Sequence, residues 1–328
     1  MSIAFFIPHL GCRHDCSFCN QRIISGALKP VTAEEVGRTL KEAAKSLGDR
    51  AHSTEVAFFG GSFTAVEPEY RSSLLKVAFE ACKEYGFTGI RISTRPDAID
   101  EIVLRELKEH QVRVIELGAQ SMDDAVLRKN GRGHTAQDTT RASGMIHSFG
   151  FSLVLQMMTG LFGDTESGAM KTAEDIAAMN PDAVRIYPAL VLRGTHLEQL
   201  YQSGSYQPQS LDEAIGLSVP LLLFFKRNCI DVIRLGLHDG KGISENLIAG
   251  PYHPAFRELC EGRILAEEIK SEILRLGISA GTVNVMVPKK DISKLTGHGR
   301  IAIKQLEEKG YRLVFHQSEY RSIRLKDG

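Results

Sequence analysis

The sequence predicts an α/β protein, built of repeated βα units around a parallel sheet with a smaller C-terminal domain appended. Three observations carry that prediction. Short apolar runs alternate with longer amphipathic segments from the N-terminus to about residue 235. The 328 residues are 43% hydrophobic and 7% aromatic, an ordinary globular composition at a length that suits one large α/β domain with an appendage. Beyond residue 240 the rhythm breaks at a Gly/Pro-rich stretch, 240–254, which divides the chain into a core, 1–240, and a C-terminal α+β accessory domain, 241–328.

Six strands are expected, at Ile3–Pro8, Glu55–Phe59, Gly89–Ser93, Arg113–Leu117, Ser152–Met157 and Ala183–Tyr187, with Asp231–Leu235 a candidate seventh. Thr32 and Glu35 form a capping box ahead of a helix that carries Val36, Leu40, Ala43 and Leu47, and Thr135 caps a later one. A further helix is expected around Glu258–Leu276. Near-continuous apolar strands joined by helices fit either a doubly wound sheet or an incomplete (β/α) barrel, and periodicity does not separate the two. In both, ligands sit where strand C-termini run into the following loops, which singles out His9-Leu10-Gly11-Cys12 and Gly60-Gly61-Ser62-Phe63-Thr64.

Forty basic and forty acidic residues cancel, removing any global electrostatic argument for nucleic-acid or membrane binding. A local excess survives in the tail from Met286 to Gly328. There Lys289, Lys290, Lys294, Arg300, Lys304, Lys309, Arg312, Arg321, Arg324 and Lys326 face five acidic residues. Clustered cations of this kind suit RNA phosphates or a solvated surface. Tyr311, Phe315 and Tyr320, interleaved with Arg312 and Arg321, suit stacking on unpaired bases or one buried side of a β-hairpin. No run approaches a membrane span and no basic region precedes the apolar N-terminus, so a cytoplasmic protein without membrane or DNA partners is expected.

Of six cysteines, Cys12, Cys16 and Cys19 crowd into one loop, whereas Cys82, Cys229 and Cys260 lie apart. This is no disulfide framework. Three soft thiolates on one small loop suit a metal: zinc completed by His9 or His14, or an iron-sulfur cubane with one iron left open.

The Cys12-x3-Cys16-x2-Cys19 spacing, with Phe18 before the last cysteine, resembles the signature of radical S-adenosylmethionine (SAM) enzymes. Further segments resemble that core in the same order, and in particular the branch that includes the catalytic subunit of Elongator. The resemblance covers roughly residues 1–240 and implies a partial (β/α)6 TIM-like barrel. It also implies a 4Fe-4S cluster on Cys12, Cys16 and Cys19, whose open iron is chelated by SAM, and an electron donor such as a flavodoxin or ferredoxin.

Carried over residue by residue, the resemblance puts Gly60, Gly61 and Ser62 at the SAM amino group, where glycines let backbone carbonyls approach an ammonium. Ser93-Thr94-Arg95-Pro96-Asp97 and Glu116-Leu117-Gly118-Ala119-Gln120-Ser121 resemble SAM-facing segments, nominating Arg95, Gln120 and Ser121. Asn130-Gly131-Arg132-Gly133-His134-Thr135 resembles the arginine loop, with Arg132 on the SAM carboxylate. Gln156 stands where related enzymes often place an acidic residue on the ribose, and Tyr187 and Ala189 fall near the adenine. Leu235-Gly236-Leu237-His238 and Gly250-Pro251-Tyr252-His253-Pro254 resemble the accessory region, and Tyr252 and His253 are catalytic candidates at the substrate mouth or packing residues of a Pro/Gly turn.

About ninety residues follow the core. They are too few for the acetyltransferase domain of the Elongator branch, so carboxymethylation by this chain alone is not expected. With no second cysteine cluster, methylthiolation is not expected either. The reading is a radical SAM enzyme acting on RNA; the alternatives are one acting on a small metabolite, or a non-enzymatic iron-sulfur or zinc module that binds a partner.

Overall fold

The structure is a computed structural model that describes residues 1–325 apart from 13, 28, 238–240, 280 and 321. Seven strands form one parallel sheet: β1 (Ser2–Ile7), β2 (Glu55–Gly60), β3 (Ile90–Thr94), β4 (Val112–Gln120), β5 (Ser152–Thr159), β6 (Ala183–Pro188) and β8 (Asp231–Leu235). They pair in that order, so β1 and β8 are the open edges of a curled, incomplete barrel of the TIM type. All six expected strands and the candidate seventh are present. Several run a few residues further than their apolar stretch suggests. β4 continues through Gly118 to Gln120 and β5 through Met158 to Thr159, because ladder pairing outlasts the hydrophobic signal.

Alternate strand positions sort into two faces. Phe5, Val56, Phe58, Ile92, Ile115, Leu117, Leu155 and Ile186 are buried in the main core, which helices cover from outside. Those helices are α2 (Ala33–Leu47), α3 (Pro68–Tyr85), α4 (Glu101–Glu109), α6 (Ala136–Ser148), α7 (Glu166–Ala178) and α9 (Leu211–Arg227), with short helices α1 (Gln21–Ser25), α5 (Asp124–Lys129) and α8 (His196–Gln202) in the loops. The intervening residues Phe59, Arg91, Glu116, Gln156, Arg185 and Tyr187 face the concave side. The strands are therefore amphipathic, not apolar throughout.

Both expected caps are made. In α2 the Thr32 hydroxyl accepts from Glu35 N (3.2 Å) while the Glu35 carboxylate accepts from Thr32 N (2.8 Å). Thr135 and Asp138 repeat the arrangement at α6.

Past β6, the two-residue strand β7 (Val191–Leu192) pairs antiparallel with β9 (Leu247–Ala249), which follows α10 (Lys241–Asn246). The expected domain boundary at 240, and His238 of the accessory motif, lie outside the described residues. Helix α11 (Phe256–Arg275) gives Phe256, Leu259 and Cys260 to the main core, and Leu265, Ala266, Ile269 and Ile273 to a second one. That second core is completed by β10 (Gly281–Val287), α12 (Lys289–Thr296), α13 (Lys304–Glu308) and β11 (Tyr311–Gln317), and the chain ends its described part in β12 (Ser322–Leu325).

The C-terminal strands are not a hairpin. Their order is β11-β10-β12, with β11 parallel to β10 and β12 antiparallel on the opposite edge. α12 and α13 supply the crossover that a parallel pair requires. Tyr311 and Phe315 pack against the second core, with the Tyr311 hydroxyl donating to Ile278 O (3.0 Å), so neither is a free stacking platform; Tyr320 is exposed. Among the described residues no helix is long and apolar enough to cross a membrane.

Candidate active site

The cysteine loop leaves the C-terminal end of β1 and is braced from three sides. Backbone turns join Leu10 N to Ile7 O, Cys12 N to His9 O and Cys19 N to Cys16 O. From the β2 side, Gly61 N donates to Ile7 O and Ser62 N to Leu10 O (3.0 and 2.8 Å). The Gln21 amide accepts from His9 N (2.7 Å) and donates to Gly60 O. From the β4–α6 loop, Ser17 N donates to Asn130 O (3.0 Å) and the Ser17 hydroxyl to Asn130 Oδ1 (2.7 Å).

Glycine is required at this junction. A Cβ on Gly61 would stand 2.0 Å from Leu10 O and 2.7 Å from Ile7 O. Gly61→Ala is accordingly expected to cost about 1–3 kcal/mol by overpacking and to lower iron uptake with secondary structure retained. Urea denaturation and iron analysis of the variant check both.

Cys12, Cys16 and Cys19 are all reduced and half-buried. Burial, then the neighbouring Cys16 and Cys12, pushes the Cys19 thiol up to about 12, and burial with Cys16 raises Cys12. Cys12 and Cys19 therefore resist ionisation until cations are supplied, as metal-binding thiols do. Arg132 is the cation already present: its Nη1 donates to Cys16 Sγ at 3.3 Å, its Nη2 donates to Gly118 O, and its charge opposes the rise at Cys12 and Cys19. Among the described residues no three His, Cys, Asp or Glu side chains converge as a single metal ion needs. In a cubane each thiolate takes an iron of its own.

Beside the thiols, at the ends of β3, β4 and β5 and in the loop between α5 and α6, buried polar atoms lack partners among the described residues. They are Arg95 Nη1, Gln120 Oε1, Arg132 Nε, His134 Nδ1 and Thr159 Oγ1. All five side chains are more than nine-tenths buried. Such orphans are costly unless a ligand satisfies them. Gln120 is held at φ +67 where the β4–β5 register shifts between Gly118 and Gln120, so a bulge at the strand end re-aims its side chain. The donors and acceptors left over match a nucleotide bearing an amino-acid group, so the residues present fit SAM.

His134 is buried and neutral. Its Nε2 bonds Ala119 O (3.2 Å), and burial followed by the Arg132 charge lowers its pKa to about 4. The unfolded chain takes up this proton near pH 6.5, so stability is undiminished above that value and falls as the pH drops toward 4. His134→Gln is expected to abolish this loss, roughly 2 kcal/mol at pH 4.5, as read from urea midpoints at pH 7 and 4.5.

The remaining nominated residues divide. Phe18, Tyr187 and Ala189 come together with Val126, Met158 and Leu161 in one small apolar cluster. Arg95 is tied bidentately to Asp97 (2.9 and 2.8 Å), leaving only Nη1 over. The Ser62 hydroxyl pairs with Thr94 (2.9 Å) and accepts from Arg95 N (3.2 Å), while Ser121 turns to Thr172 of α7 and accepts from Asp123 N. Gln156 donates to Glu116 (2.9 Å). Tyr252 joins the apolar cluster of Leu190, Leu192, Ile243 and Leu237. His253 accepts from Ala255 N and meets His298 edge-on at 5.0 Å, in a depression lined also by Pro188, Gly236 and Phe256. Asn130, His134, Thr159 and the buried carboxylate Glu116 stand in segments that the sequence singles out, but sequence reasoning nominated none of them. A lone charge inside an apolar strand was the available signal for Glu116.

Residues 6–176 match the radical SAM superfamily and residues 181–266 the radical SAM C-terminal domain. The chain belongs to the radical SAM superfamily, whose enzymes use a 4Fe-4S cluster and SAM. Among curated proteins it is 27% identical over 194 residues to the tRNA uridine(34) acetyltransferase of Methanocaldococcus infernus, covering 53% of this chain and 36% of that protein. It is 31% identical over 203 residues to mouse Elongator complex protein 3, covering 55% and 37%. The chain thus spans little more than a third of the curated relatives it matches. Among solved structures, the archaeal Elp3 of Methanocaldococcus infernus with its N-terminus deleted superposes at a TM-score of 0.65 and 20% identity, over 81% of this chain and 63% of that one. Coproporphyrinogen III oxidase of Escherichia coli gives 0.51 and 19%, over 69% and 52%. Both likenesses concern the fold.

Proposed function

We propose that this chain reductively cleaves SAM at one 4Fe-4S cluster held by Cys12, Cys16 and Cys19, and uses the product to modify a base in RNA. The observation that carries the reading is the pairing of a three-thiol loop with five orphaned, buried polar atoms on the adjacent strand ends and the α5–α6 loop. Cluster and SAM together supply one-electron cleavage of a sulfonium C–S bond, chemistry that side chains lack.

The chain's own residues bind and orient. Gly61 seats the cysteine loop against the end of β2, with Leu10 O and Ile7 O where a Cβ would stand, and Gly60 O is held by the Gln21 amide. Arg132, anchored through Gly118 O, offers Nε to a carboxylate while its Nη1 faces Cys16. Gln120 Oε1 and His134 Nδ1 accept from hydroxyl or amino groups. The apolar cluster of Phe18, Tyr187 and Ala189 provides a wall for a flat ring and keeps water from the sulfur atoms.

RNA as the substrate rests on the similarity to a tRNA uridine(34) acetyltransferase and on the small domain. Lys289, Lys290, Lys309 and Arg312 are exposed there, and no carboxylate among the described residues pairs with them. Lys294 and Arg300 are instead taken by Glu261 and Glu307. A small electron-transfer protein of the flavodoxin or ferredoxin type is the proposed reductant.

The test is anaerobic reconstitution with iron and sulfide, reduction with dithionite and addition of SAM. Formation of 5'-deoxyadenosine and methionine is expected; a partner-binding module gives neither. Comparing modified nucleosides from cells with and without the protein then tests the RNA assignment.

A further inference from the structure

The concave face of the sheet carries a polar set that the cofactor does not need. Glu116, at the middle of β4, is 0% exposed. Its Oε1 accepts from Arg91 Nη1 (2.9 Å) and Arg185 Nη2 (2.7 Å), and its Oε2 from Gln156 Nε2 (2.9 Å). Arg91 is further held by Glu55 through Nε (2.7 Å). One buried carboxylate therefore fixes the plane of the Arg185 guanidinium, whose carbon lies 5.5 Å from the centre of the Phe59 ring. Arg185 Nη1 points to the Tyr187 hydroxyl at 3.5 Å, and Arg185 Nε is shut away from solvent with no partner among the described residues.

This arrangement decides what Arg185 can recognise. A phosphate or carboxylate binds arginine through a two-pronged N–H edge. Here one edge contains the occluded Nε, and the other already bonds Glu116 and Tyr187. The guanidinium face is what remains, and the Arg185 side chain keeps 18% of its surface exposed on the concave side. A guanidinium backed by an aromatic ring is a stacking surface for a flat heterocycle. Its position also suits a substrate. Gln156 and Arg185 pair in register with each other, and Gln156 with Gly118, whose carbonyl anchors Arg132, so the surface sits one layer below the cofactor residues.

We propose that Phe59 and Arg185, set in plane by Glu116, form a platform on which the unpaired base to be modified stacks inside the half-barrel. This rests on the RNA reading above for the source of the base, not for the platform itself. An enzyme acting on a base must take it out of its stack and pay for the loss with new stacking.

The experiment uses the full chain with its cluster reconstituted under anaerobic conditions. Two fluorescent probes are titrated: 2-aminopurine riboside, and an RNA stem-loop with 2-aminopurine in its loop. Both are expected to be quenched on binding. Arg185→Lys keeps the charge but loses the plane, and is expected to weaken binding of both about tenfold or more and to remove the quenching. Phe59→Leu, which leaves every ion pair intact, is expected to act in the same direction and serves if the lysine variant does not fold. Quenching of the riboside but no binding of the RNA upholds the platform and overturns the RNA reading. RNA binding with unchanged fluorescence, or with an affinity indifferent to both substitutions, overturns the platform and leaves the RNA reading standing. If neither probe binds, both fall.

Discussion

Cys16→Ala is expected to yield a folded protein that takes up at least about a hundredfold less iron-sulfur cluster than the parent and forms no 5'-deoxyadenosine above background. The substitution removes one of three thiols and, with it, the sulfur that Arg132 Nη1 faces at 3.3 Å. Cys16 is half-buried in a loop and belongs to none of the apolar clusters, so the sheet and its helices keep their packing. Cys260→Ala is the contrasting control. Cys260 is fully buried in the main core with its thiol pushed up to about 12 by burial, and its loss should lower stability while leaving iron uptake intact. Equal iron content in Cys16→Ala and the parent would contradict the assignment.

Glu116→Ala should bring the largest loss of stability that a single polar substitution causes in this chain, about 3–5 kcal/mol. The reason is charge balance. Glu116 is the shared acceptor of Arg91, Arg185 and Gln156, and removing it leaves two guanidiniums beside a cavity with only Glu55 among the described residues to offset them. An exposed pair such as Arg105–Glu101, by contrast, should contribute well under about 1 kcal/mol. Urea denaturation of Glu116→Ala, Glu116→Gln and Glu101→Ala separates the cases. The glutamine variant should fall between the other two, since it retains one acceptor oxygen without the charge. A loss below about 1 kcal/mol for Glu116→Ala would mean that the concave network relaxes freely, and the case for a fixed Arg185 plane would weaken with it.

Much of this architecture was legible because its signals are local. Strand positions follow from apolar runs, the capping boxes at Thr32 and Thr135 from residues three apart, and the thiol trio from spacing within eight residues of chain. What stayed hidden depends on contacts between distant segments. Asn130 reaches Ser17 across 113 positions, and Gln156 meets Glu116 across 40. Nothing within β5 alone reveals that the Gln156 amide is engaged by a neighbouring strand. Arg95 shows the opposite case: its partner Asp97 stands two residues away, yet the pair leaves Nη1 buried and unmatched, which only the packing around it reveals. The small sheet misled for a topological reason. Alternating Tyr311, Phe315 and Arg312 suits either partner of a hairpin, and only the crossover through α12 and α13 makes β11 parallel to β10.

Metal analysis of oxygen-protected protein is the most direct test of the central claim that Cys12, Cys16 and Cys19 carry a cluster for SAM. The account predicts iron and acid-labile sulfide in equal amounts, about four of each per chain, both lost in Cys16→Ala. Stoichiometric zinc with neither iron nor sulfide would contradict it.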